Sequence, residues 1–100
     1  MMQNTPIKFR ILEYVHDNPE FWTNQIVSTL QTEYSMNTEH GRDMINYDLI
    51  ELVSAGLIRE GESKIDDGTY KNGSLVTQYT LTNLGEDYLN DLRSKVIRQV

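Results

Sequence analysis

The sequence predicts an α+β fold in which three helices are followed by a β-hairpin and a fourth helix. Apolar residues recur at helical spacing in four separate stretches. Between the third and fourth stretches lie two runs rich in β-branched and aromatic residues, separated by turn-forming Asp-Asp-Gly and Asn-Gly sequences. A chain of 100 residues is the usual size of one domain. We therefore expect a single domain over residues 1–100, with a core from 5 to 82 and a C-terminal helix from 83 to 97.

The ends of the first two helices are predicted from capping residues. Thr5 is a good N-cap, and Pro6 suits the first helical position because its missing N–H needs no partner there. Pro19 ends this helix, since the residue before a proline avoids the helical region. A short extended segment follows, and Thr23 is the expected cap of the second helix.

The third helix and the hairpin are predicted to meet at a glycine. Thr38 should cap the helix, which runs to Ala55, and Gly56 should end it in the left-handed conformation. Strands are expected over residues 57–65 and 74–81. The inward face of the third helix is formed by Ile45, Leu49, Leu52 and Val53.

Thr82 should cap the last helix, which carries apolar residues at four-residue spacing: Leu84, Tyr88, Leu92 and Val96. We expect Leu84 and Tyr88 to pack on the rest of the domain. The apolar character then continues further than a small core needs, which favours a two-fold dimer. The predicted dimer interface is formed by Tyr88, Leu92, Val96 and Ile97. The alternative is that residues 96–100 are a frayed tail.

The composition excludes several classes of site. There is no cysteine, which excludes disulfides, zinc-thiolate sites and thiol catalysis. No apolar run approaches the ~18 residues that span a membrane, and the first residues do not resemble a signal peptide, so we expect a cytoplasmic protein. His16 and His40 are far apart in sequence and are expected to be a helix-end residue and a surface residue, not metal ligands. No metal or other cofactor is expected.

Two local motifs sharpen the prediction. Residues 49–58 read L-x-x-L-x-x-x-G-L-I, and residues 79–85 read Y-x-L-T-x-x-G. Both resemble motifs of winged helix-turn-helix transcription regulators, the PadR-like and MarR-like proteins and related archaeal winged-helix proteins. The resemblance covers about residues 7–92. It implies a DNA-binding regulator of transcription that acts as a homodimer.

The resemblance also implies where double-stranded DNA would bind. Helix 38–55 would be the recognition helix, because an α-helix fits the major groove and its N-terminal residues reach base edges. The hairpin tip, residues 62–74, would be a wing on the flanking backbone. The candidate DNA-binding residues are Thr38, His40, Arg42, Asn46 and Tyr47 on the helix, and Lys64, Tyr70 and Lys71 on the wing.

The charge of the chain argues in the other direction. The formal net charge is −6, and residues 38–55 carry four acidic side chains against Arg42 alone. Acidic groups near phosphates reduce affinity, so Arg42 and Asn46 could instead belong to an ordinary solvated surface, with Arg42 paired locally. Lys64 and Lys71 could likewise serve to protect an exposed strand edge. A winged-helix module that binds protein but not DNA is therefore the alternative function, and mimicry of DNA by an acidic factor is a third.

Catalysis is not expected. Neighbouring acids such as Glu60 and Glu62 have no nucleophile or phosphate-binding glycine loop near them in the sequence. Trp22 is expected to fill the core between the first two helices, with a ligand pocket or partner contact as the alternative.

Overall fold

The computed structural model describes residues 6–19, 21–65 and 75–98, with side chains of the last segment through residue 95. Within these residues the chain forms four helices and a two-stranded antiparallel hairpin, in the predicted order. The elements are α1 (Ile7–Asp17), α2 (Thr23–Glu33), α3 (Glu39–Ser54), β1 (Ile58–Ile65), β2 (Leu75–Leu81) and α4 (Asn83–Arg98).

A single apolar cluster joins all four helices to the base of the hairpin. Helix α1 contributes four buried residues to this cluster and contacts α2, α3, α4 and β2, so it lies at the centre of the packing. The buried members are Phe9, Ile11, Leu12, Val15, Ile26, Val27, Leu30, Ile45, Leu49, Leu52, Ile58, Tyr79 and Leu89. The predicted inward face of α3 is confirmed for Ile45, Leu49 and Leu52, whereas Val53 lies at the edge of the cluster.

The two strands of the hairpin differ in burial. Its register runs from Ile58 opposite Leu81 to Ile65 opposite Leu75, with an irregularity between Glu60 and Ser63. Within β1 only Ile58 is buried. In β2, by contrast, Val76, Thr77 and Tyr79 are buried, so β2 lies on the domain and β1 forms the exposed strand of the hairpin.

Helix α2 is attached to β2 through Thr23. Its hydroxyl donates to the carbonyl oxygen of Thr77 (3.0 Å) and accepts from the Thr77 N–H (3.0 Å). The predicted cap was wrong here, because Trp22 occupies the N-cap position and Thr23 is already helical. The α1 prediction also shifts by one residue: Pro6 is the N-cap, and Thr5 lies outside the described residues.

The start of α4 is fastened to the end of α3. The Thr82 hydroxyl accepts from the N–H of Gly85 (3.0 Å), as the predicted cap requires, and donates to the carbonyl oxygen of Gly56 (2.6 Å). Gly56 has the expected positive φ, 78°. A Cβ on Gly85 would overlap the carbonyl oxygen of Leu57. The two sequence motifs, residues 49–58 and 79–85, therefore contact each other. The first supplies the carbonyl oxygens of Gly56 and Leu57, and the second supplies the Thr82 hydroxyl and the space at Gly85.

The predicted inward face of α4 was wrong. Leu84 is 58% exposed and Tyr88 is 46% exposed, whereas Leu89 is fully buried in the core. The face that packs on the domain is Gly85, Leu89 and Leu92, at helical spacings of four and three. Glycine adds no apolar signal, so the sequence pattern drew attention to the neighbouring Leu84–Tyr88 strip.

A polar cluster joins α1 to α2 at the edge of the core. The Arg10 guanidinium donates to Glu33 (2.7 Å) and Glu13 (2.9 Å), and the Tyr14 hydroxyl also donates to Glu33 (2.6 Å). Burial works against the charged form of Glu33, but the bonds from Arg10 and Tyr14 outweigh it and hold the pKa of this carboxyl below its usual value. Helix α4 joins the cluster through Arg93, whose guanidinium lies 3.6 Å from Glu13.

Candidate nucleic-acid interface

The turn between α2 and α3 is tight and well bonded. Thr38 caps α3 as predicted, its hydroxyl accepting from the N–H of Gly41 (3.0 Å). The Gln31 side chain donates to the carbonyl oxygens of Met36 (3.0 Å) and Thr38 (3.1 Å). Gly41 is buried, and a Cβ there would overlap the Met36 carbonyl. This packing fixes how α3 leaves the turn and therefore which of its residues face solvent.

The predicted contact residues of α3 fall into two groups. Thr38, His40 and Tyr47 are exposed, so they are accessible to a partner of any kind. Arg42 and Asn46 are half-buried, on the side of α3 that turns towards the core. The residues lie on one helix as expected, but they do not form a single solvent-facing row.

Arg42 has an acidic partner, as the alternative interpretation anticipated. Its guanidinium lies 3.3 Å from the Glu39 carboxylate, one helical turn earlier. The Glu39 side chain is 82% exposed, and an ion pair so open to water is worth about 0.2–0.5 kcal/mol. A phosphate or other anion could therefore displace Glu39 at little cost.

Helix α3 also carries an exposed apolar strip, of which only Tyr47 was predicted as a site residue. Met44, Tyr47 and Ile50 are 45%, 61% and 62% exposed. They lie on successive turns, three residues apart, between the acidic positions of the same helix. The sequence could have indicated this strip, because Met44 and Ile50 are apolar but lie outside the inward-facing pattern of α3.

The acidic side chains of α3 differ in their surroundings. Glu51 accepts from the Lys8 ammonium of α1, and this bond lowers the pKa of the carboxyl. Burial raises the pKa of Asp48, against the attraction of Lys8. Lys8 of α1 thus neutralises one α3 carboxylate, and the surface is less negative by one charge than the count over residues 38–55, which already sets Arg42 against one acid.

The hairpin places Lys64 against Trp22. The Lys64 ammonium lies 4.5 Å from the centroid of the Trp22 ring, a cation–π contact. Trp22 pairs with Gln78 of β2 in an isolated antiparallel bridge. The expectation that Trp22 fills the core between α1 and α2 was wrong: the residue is half-buried and lies against the hairpin. The backbone of Trp22 pairs with β2, and its ring lies beside Lys64 of β1.

Two predicted wing residues, Tyr70 and Lys71, lie outside the described residues. On α4, Tyr88 is exposed and Leu92 packs against the core, which leaves Leu92 less available for a dimer interface than expected. The side chains of Val96 and Ile97 lie outside the described part of the chain. Leu84, one helical turn before Tyr88, is exposed, so the exposed apolar pair on α4 is Leu84 and Tyr88 instead of Tyr88 and Leu92.

In the described segments, no three His, Cys, Asp or Glu residues are grouped in a way that could hold a metal ion. None of the helices in these segments is long and apolar enough to cross a membrane.

Comparisons with known proteins leave the family open. No protein-family profile matches the chain, and no curated protein sequence is significantly similar to it.

Proposed function

We propose that the protein is a winged-helix regulator that binds a specific DNA sequence as a homodimer. In this proposal α3 enters the major groove and the hairpin contacts the flanking backbone. The observation that carries it is the pairing of two exposed elements on one core: the solvent-facing side of α3, held by a bonded turn, and β1, the hairpin strand of which only the first residue is buried. A strand exposed along seven of its eight residues contributes little to folding, which supports a role in binding.

The charge distribution sets the kind of DNA binding to expect. A chain of net charge −6 cannot gain much affinity from phosphate neutralisation. Discrimination would then depend on hydrogen bonds to base edges, for which the exposed His40 and Tyr47 are placed, and on two-fold repetition. We expect weak binding to arbitrary DNA and a palindromic operator.

The experiment is selection from a random duplex library at about 50 mM salt, where phosphate contacts are least screened. Enrichment of a palindrome with half-sites about 34–36 Å apart would support a two-fold dimer. Equal retention of all sequences would contradict specific recognition.

A matched pair of variants tests the role of α3. Tyr47→Ala should weaken binding to the selected operator by about tenfold, as losing one base contact of ~1–3 kcal/mol predicts. Ser54→Ala, at the exposed C-terminal end of the same helix, should leave affinity unchanged. Equal affinities for both variants would remove α3 from the interface.

The proposed dimer surface is the exposed Leu84–Tyr88 strip of α4. The acidic residues of α4 precede its basic ones, so two antiparallel copies would place opposite charges together. Tyr88→Glu should convert a dimer to a monomer in sedimentation velocity, while Asn90→Glu, which is exposed on another face of α4, should not.

A second candidate is a winged-helix module that binds protein and not DNA. The exposed Met44, Tyr47 and Ile50 favour it, because apolar side chains flanked by acids suit an apolar, basic protein surface better than phosphates. This candidate predicts no enrichment in the library selection by a folded protein, even at low salt.

A further inference from the structure

A cleft of about 490 Å³ lies between α2 and α3. Arg42 of α3 belongs to its lining, whereas the exposed His40 and Tyr47, on which the proposed function relies, do not. The described residues that line it are Phe21, Asn24, Gln25, Ser28, Thr29, Gln31 and Arg42. A volume of this size is within the range of small-molecule sites, ~300–1,000 Å³.

The cleft is chemically unlike the rest of the surface. Of the described residues that line it, none carries a carboxylate, and Arg42 contributes a positive charge. This occurs in a chain with 15 acidic and 9 basic residues. A pocket with one guanidinium and otherwise uncharged walls favours an anion that displaces the exposed Glu39 carboxylate from Arg42.

Several lining groups already donate hydrogen bonds within the protein, which limits the groups that can bind a ligand. Both side-chain N–H donations of Gln31 go to the turn before α3, and the Thr29 hydroxyl donates to the carbonyl of Gln25 (2.7 Å). Among the described ion pairs, Arg42 has one, with the exposed Glu39. The guanidinium is therefore the lining donor that an incoming carboxylate can engage most readily, and its planar fork fits a carboxylate in two-point contact.

Two further lining residues, Phe21 and Asn24, limit the ligand more closely. Phe21 supplies an aromatic wall, against which a flat ring can stack. The Asn24 side-chain oxygen is buried and has no hydrogen-bond partner among the described residues. A buried acceptor without a hydrogen bond lowers the stability of the fold. A ligand N–H that donates to the Asn24 oxygen, after rotation of the side-chain amide towards the cleft, would therefore be favoured.

We propose that this cleft binds a small aromatic carboxylate, with the carboxylate on Arg42, the ring against Phe21, and a ring-borne N–H donor towards Asn24. The inference does not depend on DNA binding, and the site would be present in a protein-binding module equally. Since Arg42 belongs to α3 and Phe21 precedes α2, an occupant would connect the two helices that meet at the turn.

The test is a titration of the ¹⁵N-labelled full chain with 4-aminobenzoate at constant ionic strength, followed by amide chemical shifts. We expect saturable shifts at Gln25, Ser28 and Arg42, with a Kd on the order of 1 mM, as a ligand of about ten heavy atoms allows. Benzoate should bind more weakly because it lacks the N–H donor, and neutral benzamide should bind at least tenfold more weakly than benzoate.

Paired variants complete the test. Arg42→Gln keeps a polar lining and should weaken 4-aminobenzoate binding at least tenfold, whereas Arg59→Gln, an exposed arginine on β1, should not change it. Unfolding curves of both variants should match that of the original chain. The proposal is overturned if the shifts do not saturate, if Arg42→Gln binds as well as the original chain, or if inorganic phosphate reproduces the same shifts at the same concentration.

Discussion

Two helices of this protein begin with the same four-residue pattern, and the comparison shows how one local motif can do two jobs. Thr38 and Thr82 each cap a helix, and each accepts from the N–H of a glycine three residues later at 3.0 Å. In both cases a Cβ on that glycine would overlap a backbone carbonyl. The difference lies in where the carbonyl comes from.

At α3 the carbonyl belongs to Met36, five residues before Gly41, so the close approach shapes a local turn. At α4 the carbonyl belongs to Leu57, 28 residues before Gly85 in sequence, so the same approach joins distant parts of the chain. The Leu57 carbonyl also accepts from the backbone N–H of Thr82 (3.1 Å). The same capping motif thus also forms a tertiary contact at α4, because the fold brings the carbonyl of a distant residue next to it.

The largest effect is expected for Gly85→Ala. The added methyl meets a carbonyl that is already hydrogen-bonded to Thr82 and cannot move without opening that joint. We expect a loss of about 3 kcal/mol in the free energy of unfolding, at the upper end for overpacking, despite alanine's better helix propensity. Urea unfolding followed by circular dichroism measures it, with Ser94→Ala on the same helix as the control. A loss equal to that of the control would show that α4 does not approach Leu57 closely.

Gly41→Ala should have a smaller effect, about 1.5 kcal/mol. The Met36 carbonyl lies in a short turn and is held by the Gln31 side chain, which can adjust. The same urea experiment applies, and Asp43→Ala is the matched exposed position on α3. If Gly41→Ala costs more than Gly85→Ala, the local turn is the more rigid of the two, and the comparison is reversed.

The two threonines should differ least. Thr38→Ala removes one cap and should cost about 1 kcal/mol. Thr82→Ala removes a cap together with the hydroxyl donation to Gly56, and should cost about 1.5 kcal/mol. Serine at either position keeps the hydroxyl and should recover most of the loss. Equal costs for the two alanine variants would mean that the bond to Gly56 contributes nothing.

What the sequence predicted well were features with short-range causes. The caps at Thr38 and Thr82, the left-handed Gly56 and the paired strands each depend on a few neighbouring residues, and the structure confirms them. The order of the elements follows from these features and from helical periodicity.

What the sequence could not predict depends on contacts between distant residues. The inward face of α4 is marked by Gly85, whose lack of a side chain is invisible to an apolar pattern. Trp22 was assigned to the core by its size, but its neighbour in space is Lys64, 42 residues away. The cleft beside Arg42 is formed by two helices together, so neither helix alone indicates it.

The joint between Thr82 and Leu57 closes the hairpin at its base. Because the ends of β1 and β2 are held there, the folded core does not need any particular number of residues between Ile65 and Leu75. The number of residues between the two strands can therefore change during evolution while the core and α3 stay in place.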